Sequence, residues 1–558
     1  MNKNHLIISF SNKFNMQASL IVLAICLFLQ IPYSSIAQNT NNIGDPAKSI
    51  KKQLENGQAE ISFYNSACYF ALHGESTLAF KYLQSAVEID KINTTETLLN
   101  DRDLASLHND PQWQRIVEGV RANKENQKKT DSLFFNQQKF WESGTFNTPY
   151  QENLSSEEKI AGLSRFWSEV KYNFVNFDLI PDLNFDSLYF AYIPKVVETK
   201  STKEYYQTLS SFCSYLKDGH TNIYVPKELE EDTYSRPLLR TRLIEDKVLI
   251  ISIHDPSLEE KGIKVGQEVL KVDGIPVLEY AQQFVTPYQS ASTPQDQNVR
   301  SFDYSLFAGS PKKTINLVLQ DDKGTLNNVT ISRVSPMDRN EKMKVPNFEY
   351  KILEGDIAYV ILNSFGSDVA LKEFEKHYDE IAQSKAIIFD VRANGGGNSS
   401  YGWKILEHIV NKPVKVHTMY TRLYNPTFRA WNKKQQLYST SSSLRPRLKQ
   451  EYSNPVIVLT SARSYSAAED FVGAFKSMNR GLIIGEPTGG SSGQPLAITL
   501  PGKGSARICT KRDMLGNGND FIGKGILPDI VISPSVDDIR QGKDPVLETA
   551  INKLKERL

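Results

Sequence analysis

Cysteine is scarce in this chain. Of four in 558 residues, Cys26 lies in an apolar stretch near the N-terminus, and Cys68, Cys213 and Cys509 are widely spaced. Three separated thiols build neither a disulfide framework nor a CxxC knuckle, so buried structural thiols are expected. Histidine is also sparse: the eight residues include no HExxH and no close pair, and no metal site or cofactor is expected. Neither sign of charge predominates. Lys plus Arg number 65 against 64 Asp plus Glu, which leaves no excess charge to draw in a phosphate backbone or an anionic membrane, and nucleic acid is not an expected partner. What is present, 40% hydrophobic and 23% charged residues, is globular composition that rules out collagen, coiled coil and wholesale disorder. The length suits three or four domains at roughly 100 to 200 residues each.

Long apolar runs are equally few. The run Ala18 to Leu29 is shorter than the ~20 residues that span a bilayer. Lys3 and Lys13 precede it, and Pro32, Ser35 and Ala37 follow, so residues 1–37 read as a secretory signal and the chain as exported, periplasmic or extracellular. Bulky Ile25 before Cys26 argues against lipid attachment there.

Residues 46–125 turn helical, with Ala67, Phe70 and Ala71 and then Ala79, Tyr82, Leu83 and Ala86 at three- and four-residue spacing and Gly74 between. This segment resembles a tetratricopeptide helical pair, but no second copy follows, so a partner-binding groove and a helical cap both stay open. After a polar linker, residues 150–235 are again helical, with Leu163, Phe166, Trp167 and Val170 near one face. Residues 237–335 read as strands, with Asp273-Gly274 as a hairpin signal. This region resembles a PDZ domain, which implies capture of extended peptide ends, although Gln267 stands where that family usually has Asp and no GLGF-type loop is visible. Over 345–540 apolar strands alternate with amphipathic helices, which predicts an α/β layer covered on both faces; 541–558 reads as a C-terminal helix.

Three loops carry candidate chemistry. "KDGHT" offers His220. "FDVRANGGG" follows a buried strand, and its glycines allow the close approach to backbone N–H groups that an oxyanion site needs; it lacks the G-x-G-x-x-G of a dinucleotide site. "TSARSYSAAED" follows the strand "PVIVL", and Ser466 to Glu469 fits a capping box as well as a nucleophile at a helix N-terminus. One hydroxyl cannot fill both roles, and Ser464 is the alternative cap.

The order of "DGHT", the PDZ-like segment, "DVRANGGG", "SARSYSAAE", "GLIIGEPTGG" and "GKGILPDI" resembles the C-terminal-processing and tricorn-core-like serine peptidases across about 150 to 540. That resemblance implies an α/β, crotonase-like core with a PDZ-like insertion, hydrolysis of peptide bonds in protein or peptide substrates, often near a C-terminus, and Ser466 as nucleophile. Backbone N–H groups of Ala467 and of Gly395 or Gly396 would bind the oxyanion. The branch of the family that uses lysine after "GEPT" has Ser491 at that position here, whereas His220 fits the branch with a histidine base. Histidine, with an ordinary pKa near ~6.5, suits the transfer of a serine proton at neutral pH. The orienting acid expected before "GKG" falls on Ile522; Asp520 is the nearest acid and Asp218 the alternative, while Gly219 has no side chain with which to hold the ring. A catalytically inactive binding scaffold, a protein partner at the N-terminal helices and a homo-oligomer remain open alternatives, and an enoyl-CoA-type enzyme rests on core architecture alone.

Overall fold

The computed structural model describes residues 62–134, 144–447 and 452–558, so the signal segment and the start of the first helical region lie outside the described residues. The chain divides into two units, 1–140 and 141–558.

In the first unit, the helices Phe63–Leu72 and Ser76–Glu88 pair through Ala67, Phe70, Ala71, Ala79, Leu83 and Ala86, all buried. Ser62 caps the first helix by accepting from the Asn65 amide at 3.2 Å, and Gly74 turns the chain at φ +76°. The helix Pro111–Phe134 adds Trp113, Ile116, Val117 and Val120 to the same core.

The second unit is built on a six-stranded sheet in the order Ile530–Val531, Leu482–Gly485, Val456–Thr460, Ala386–Asp390, Ile357–Leu362, Phe348–Leu353. All pairs are parallel except the last. The central strands Ala386–Asp390 and Val456–Thr460 are buried at every residue, because the helices Val369–Ile381, Ser399–Leu406 and Ala467–Met478 cover one face and Pro545–Lys555 the other. The helix Ala467–Met478 is buried from Ala467 to Phe475; Phe471 and Phe475, each fully enclosed, contribute roughly 1.5–3 kcal/mol apiece and anchor the helix in the core.

Two further layers flank this sheet. The helices Ser156–Asn173, Phe185–Glu198 and Thr202–Ser214 pack Phe166, Tyr205, Tyr206 and Phe212 against a three-stranded sheet of Asn222–Tyr224, Gly504–Cys509 and Pro495–Leu500. Strands between Leu239 and Ile331 form a separate antiparallel sheet, in which Asp273 and Gly274, at φ +48° and +84°, close a two-residue hairpin between Val272 and Ile275. Between Leu406 and Val456 the chain leaves the alternating pattern for two antiparallel strands, Val414–Leu423 and Gln436–Leu444, the first of which also pairs with Lys511–Leu515. The sequence reading did not anticipate this excursion.

Candidate active site

Ser466 sits between the strand Val456–Thr460 and the helix Ala467–Met478 at φ +56°, ψ −124°. A serine at positive φ is strained, at a cost on the order of 1–3 kcal/mol, and such strain persists only where the surroundings over-determine it. They do so here. The Ser466 amide donates to the Ser491 carbonyl at 3.1 Å and faces Glu469 Oε2 at 3.2 Å; its carbonyl accepts from the amides of Glu469 and Asp470. The Tyr465 amide donates to the Asn394 carbonyl at 3.0 Å. This sharp strand-to-helix turn points the hydroxyl out over the helix N-terminus.

His220 reaches that hydroxyl from 246 positions away, with Nε2 3.0 Å from Ser466 Oγ. Its loop is organised by Asp218, whose carboxylate accepts from the His220 amide at 3.0 Å, the Thr221 hydroxyl at 2.9 Å and Asn176 Nδ2 at 2.8 Å. The strand Asn222–Tyr224 then anchors the loop antiparallel to Gly504–Cys509. The His220 ring is buried, and burial, followed by the nearby cations Arg507 and Arg300, pushes its pKa down to about 3. It is therefore neutral, and able to accept a proton, across the physiological range.

The glycine run lies beside the same point. Gly396 is at φ +102°, and a Cβ there would stand 2.7 Å from Ser466 Cβ and 3.0 Å from the Ala467 nitrogen. Only glycine lets the backbone approach so closely. The Gly396 amide donates to Asn394 Oδ1 at 2.9 Å. Glu469, the third residue of the helix, is fully buried and accepts from Thr488 Oγ1 at 2.6 Å and from the amides of Gly490 and Ser491 at 2.7 and 2.8 Å. Burial pushes its pKa up to about 8, against four donors that favour the anion.

The structure thus gathers Ser466, His220, Gly396 and Ala467 at one locus, while Asp520, Ile522, Asp218 and Ser464 stand in other roles than those expected of their positions. Asp520 is a turn residue: it accepts from the Ile522 amide and pairs with Arg512, which also holds Asp178. Ile522 is a core side chain. Asp218 is occupied by its own loop rather than by the ring. Ser464 does not cap the helix either; it donates to the Val391 carbonyl at 2.8 Å and accepts from the Ser461 amide, so it ties two loops together. The partner of His220 Nδ1 is instead Ser491, at 2.7 Å, which sequence reasoning noted only as the residue in a vacant lysine position. Tyr465 also escaped notice: its ring stacks flat on His220, with centroids 5.2 Å apart and planes within 5°.

Among the described residues, two groups bring metal-type donors together, Cys68 with Asp101 and Asp103, and His417 with Asp470 and Asp513. In the second, Lys511 Nζ lies 2.9 Å from Asp513 Oδ1 and already supplies a positive charge.

Comparison with known proteins gives a family and several relatives. Residues 356–532 match peptidase family S41. The chain is 23% identical over 293 residues to the chloroplastic C-terminal processing peptidase of Tetradesmus obliquus, covering 52% of this chain and 58% of that protein. To the carboxy-terminal-processing protease of Bartonella bacilliformis it is 28% identical over 236 residues, 40% of this chain and 51% of the other, and to the tricorn protease of Thermoplasma volcanium 26% identical over 289 residues, 51% and 24%. The chain therefore spans about half the length of the first two relatives and about a quarter of the third. Among solved structures, mature CPAF complexed with lactacystin superimposes with a TM-score of 0.57 at 15% identity, over 72% of this chain and 98% of that one, which is a likeness of fold.

Proposed function

We propose that this chain, which carries a peptidase family S41 domain over residues 356–532, is an exported serine peptidase that cleaves peptide bonds of protein or peptide substrates, with Ser466 as nucleophile and His220 as base. The observation that carries the reading is the 3.0 Å contact between Ser466 Oγ and a neutral His220 Nε2, made beside a helix N-terminus. The serine hydroxyl attacks the substrate carbonyl carbon while Nε2 takes its proton; the resulting imidazolium then protonates the leaving amine, and water repeats the sequence on the acyl-enzyme. Charge on the tetrahedral oxygen meets the Ala467 amide at the start of the helix and, because the Gly396 amide is engaged by Asn394, the Gly395 amide. This chemistry calls on no metal or cofactor.

The same reading treats the α/β layer as a crotonase-like core, residues 237–335 as a PDZ-like insertion and 46–125 as a tetratricopeptide-like segment. The names of the relatives favour substrates cut near their C-termini. Export follows from the layout of residues 1–37; among the described residues no helix is long and apolar enough to cross a membrane.

A non-catalytic, peptidase-like binding protein is the competing reading. One observation favours it: His220 Nδ1 meets a neutral hydroxyl, not a carboxylate. Hydrolysis of a peptide library by wild type, Ser466→Ala and His220→Ala decides between them. The peptidase reading expects loss of about 10² to 10⁴-fold or more in each variant, with fluorophosphonate labelling abolished in Ser466→Ala. Equal turnover in all three proteins rejects it.

A further inference from the structure

The loop that carries His220 is held from outside its own layer. A segment between the strands Ile275–Pro276 and Ile315–Gln320 reaches back to it and meets consecutive backbone groups. Ser290 Oγ donates to the Asp218 carbonyl at 2.8 Å, the Gly219 amide donates to Ser292 Oγ at 2.9 Å, and Arg300 Nη2 donates to the Gly219 carbonyl at 3.1 Å. The same segment holds the loop that leads to Ser491. Thr293 Oγ1 donates to the Gly489 carbonyl at 2.9 Å, and Gln295 Nε2 to the Thr488 carbonyl at 3.0 Å.

Arg300 stands apart in this segment because one of its nitrogens touches two loops at once. Nη2 has two hydrogens, and both are used: one meets the Gly219 carbonyl, the other the Tyr465 phenol oxygen at 2.9 Å. The Tyr465 ring in turn lies flat on the imidazole. Arg300 is itself anchored at Nε by Asp296 Oδ1 at 2.8 Å, and Asp296 Oδ2 accepts from the Ser292 amide at 3.0 Å. A planar guanidinium fixed at Nε has no freedom left in the direction of Nη2, which a lysine ammonium on its flexible stem would keep. Gly219 shows how closely these groups converge. A Cβ at that position would lie 1.8 Å from the Tyr465 oxygen, 2.7 Å from Arg300 Nη2 and 2.8 Å from Asp296 Oδ2. The space that a side chain next to the histidine would fill is thus occupied by a phenol from the nucleophile loop and the arginine that holds it.

We propose that Arg300 is a positioning residue for His220: through Tyr465 it fixes the plane of the imidazole, and through the Gly219 carbonyl it fixes the backbone from which the ring springs. The inference rests on the reading of Ser466 and His220 as nucleophile and base. Proton transfer needs Nε2 aimed at a hydroxyl 3.0 Å away, and a displacement of about 1 Å can cost on the order of 10²-fold in rate. One amino group sets the nucleophile loop and the base loop in register, so neither can shift against the other without losing a bond to it. Asp296 and Arg300 come from the segment Pro294–Tyr304, so the inserted region supplies part of the catalytic geometry.

The test reads kcat and KM separately on a peptide substrate, together with the His220 ring-proton resonances of histidine-labelled protein, assigned by difference with His220→Gln. In the wild type the stacked phenol should shift those resonances upfield. Arg300→Lys keeps the charge but not the fixed fork; kcat should fall about tenfold or more with KM within about twofold, and the ring resonances should move toward their ordinary positions. Asp296→Asn combined with Arg300→Gln removes both buried charges together and should do the same. It carries the test alone if Arg300→Lys does not fold, as judged by near-ultraviolet circular dichroism. Tyr465→Phe keeps the stacked ring and removes only the oxygen that Arg300 reaches. Joined to Arg300→Lys, it should lose less than the product of the two single losses, because both changes break one contact. Wild-type kcat in both Arg300 variants, or losses that multiply in the joined variant, would overturn the proposal. Failure of the peptidase reading is separable, because it shows as equal turnover in wild type, Ser466→Ala and His220→Ala. The ring resonances then still decide: if they stay unmoved in both Arg300 variants, Arg300 does not position the ring.

Discussion

The unusual residue at the site is a histidine kept neutral by its surroundings. Burial acts first, and Arg507, Arg300 and Lys511 oppose protonation, with Asp513 alone among the named charges favouring it; Asp218 and Asp296 are committed to the loop amides and to Arg300. A base held neutral stays competent at acid pH, so the acid limb of kcat/KM is expected well below 6.5, approaching 3 rather than 6. Arg507→Gln removes one cation and should move the limb upward, which a pH–rate profile checks. Stability runs the other way. The unfolded histidine takes up a proton near ~6.5 that the folded one refuses, so the fold weakens as pH falls below that value, and circular dichroism across the same range separates unfolding from titration. Gly219→Ala would drive its methyl into the Tyr465 oxygen and is expected to cost at least tenfold in kcat, because the ring stacked on His220 must move. At this scale Ser466 and His220 were legible as motif residues. Ser491 and Tyr465 were not, because nothing in a sequence says that a serine 25 positions beyond the nucleophile returns to the far side of an imidazole.

Glu469 is where residue chemistry becomes a property of an element. Its two oxygens collect Thr488, Gly490, Ser491 and Ser466, and so fix the start of the helix Ala467–Met478 to the loop that carries Ser491. Glu469→Gln would set an amide NH₂ against N–H donors, losing an acceptor and adding an unsatisfied donor. A loss of about 2–4 kcal/mol in stability is expected from two such faults, read as a lower midpoint in denaturant, together with lost turnover. The capping pattern of Ser466 and Glu469 was visible in the sequence as a competitor to catalysis; in the structure Glu469 serves both ends by holding the serine amide while the hydroxyl stays with His220. The amphipathic helices expected between the apolar strands of 345–540 include Val369–Ile381 and Ala467–Met478, whose apolar faces pack on the buried sheet. The strand Gln436–Leu444 was illegible for the opposite reason. Its residues, mostly exposed Ser, Thr and Gln, bury too little to leave a period of two, and its partner Val414–Leu423 is fixed by Lys511–Leu515, about a hundred positions away.

For the whole molecule the question is which parts the chemistry needs. The residues 62–134 close their own core around Phe70, Leu83, Trp113 and Val120, whereas Ser466, His220, Ser491, Tyr465, Arg300 and Asp296 all belong to the unit 141–558. That unit carries its own enclosed cores, one under the helices Ser156–Asn173 and Thr202–Ser214 and two against the faces of the parallel sheet. The sequence signalled this partition as a polar stretch between two helical patterns, because a linker advertises itself by lacking a face to bury. A chain beginning at residue 141 should therefore fold cooperatively and retain kcat within about threefold of the full chain on a short peptide, since no catalytic group is lost. Deleting 237–335 is expected to abolish turnover even though Ser466 and His220 remain, because Asp296 and Arg300 leave with that segment and Tyr465 loses the donor that holds its oxygen. Kinetics on the two shortened proteins, with fluorophosphonate labelling to report Ser466 independently of substrate, distinguish an appended unit from an integral one. Equal activity in both would mean that the inserted segment takes no part in orienting the base.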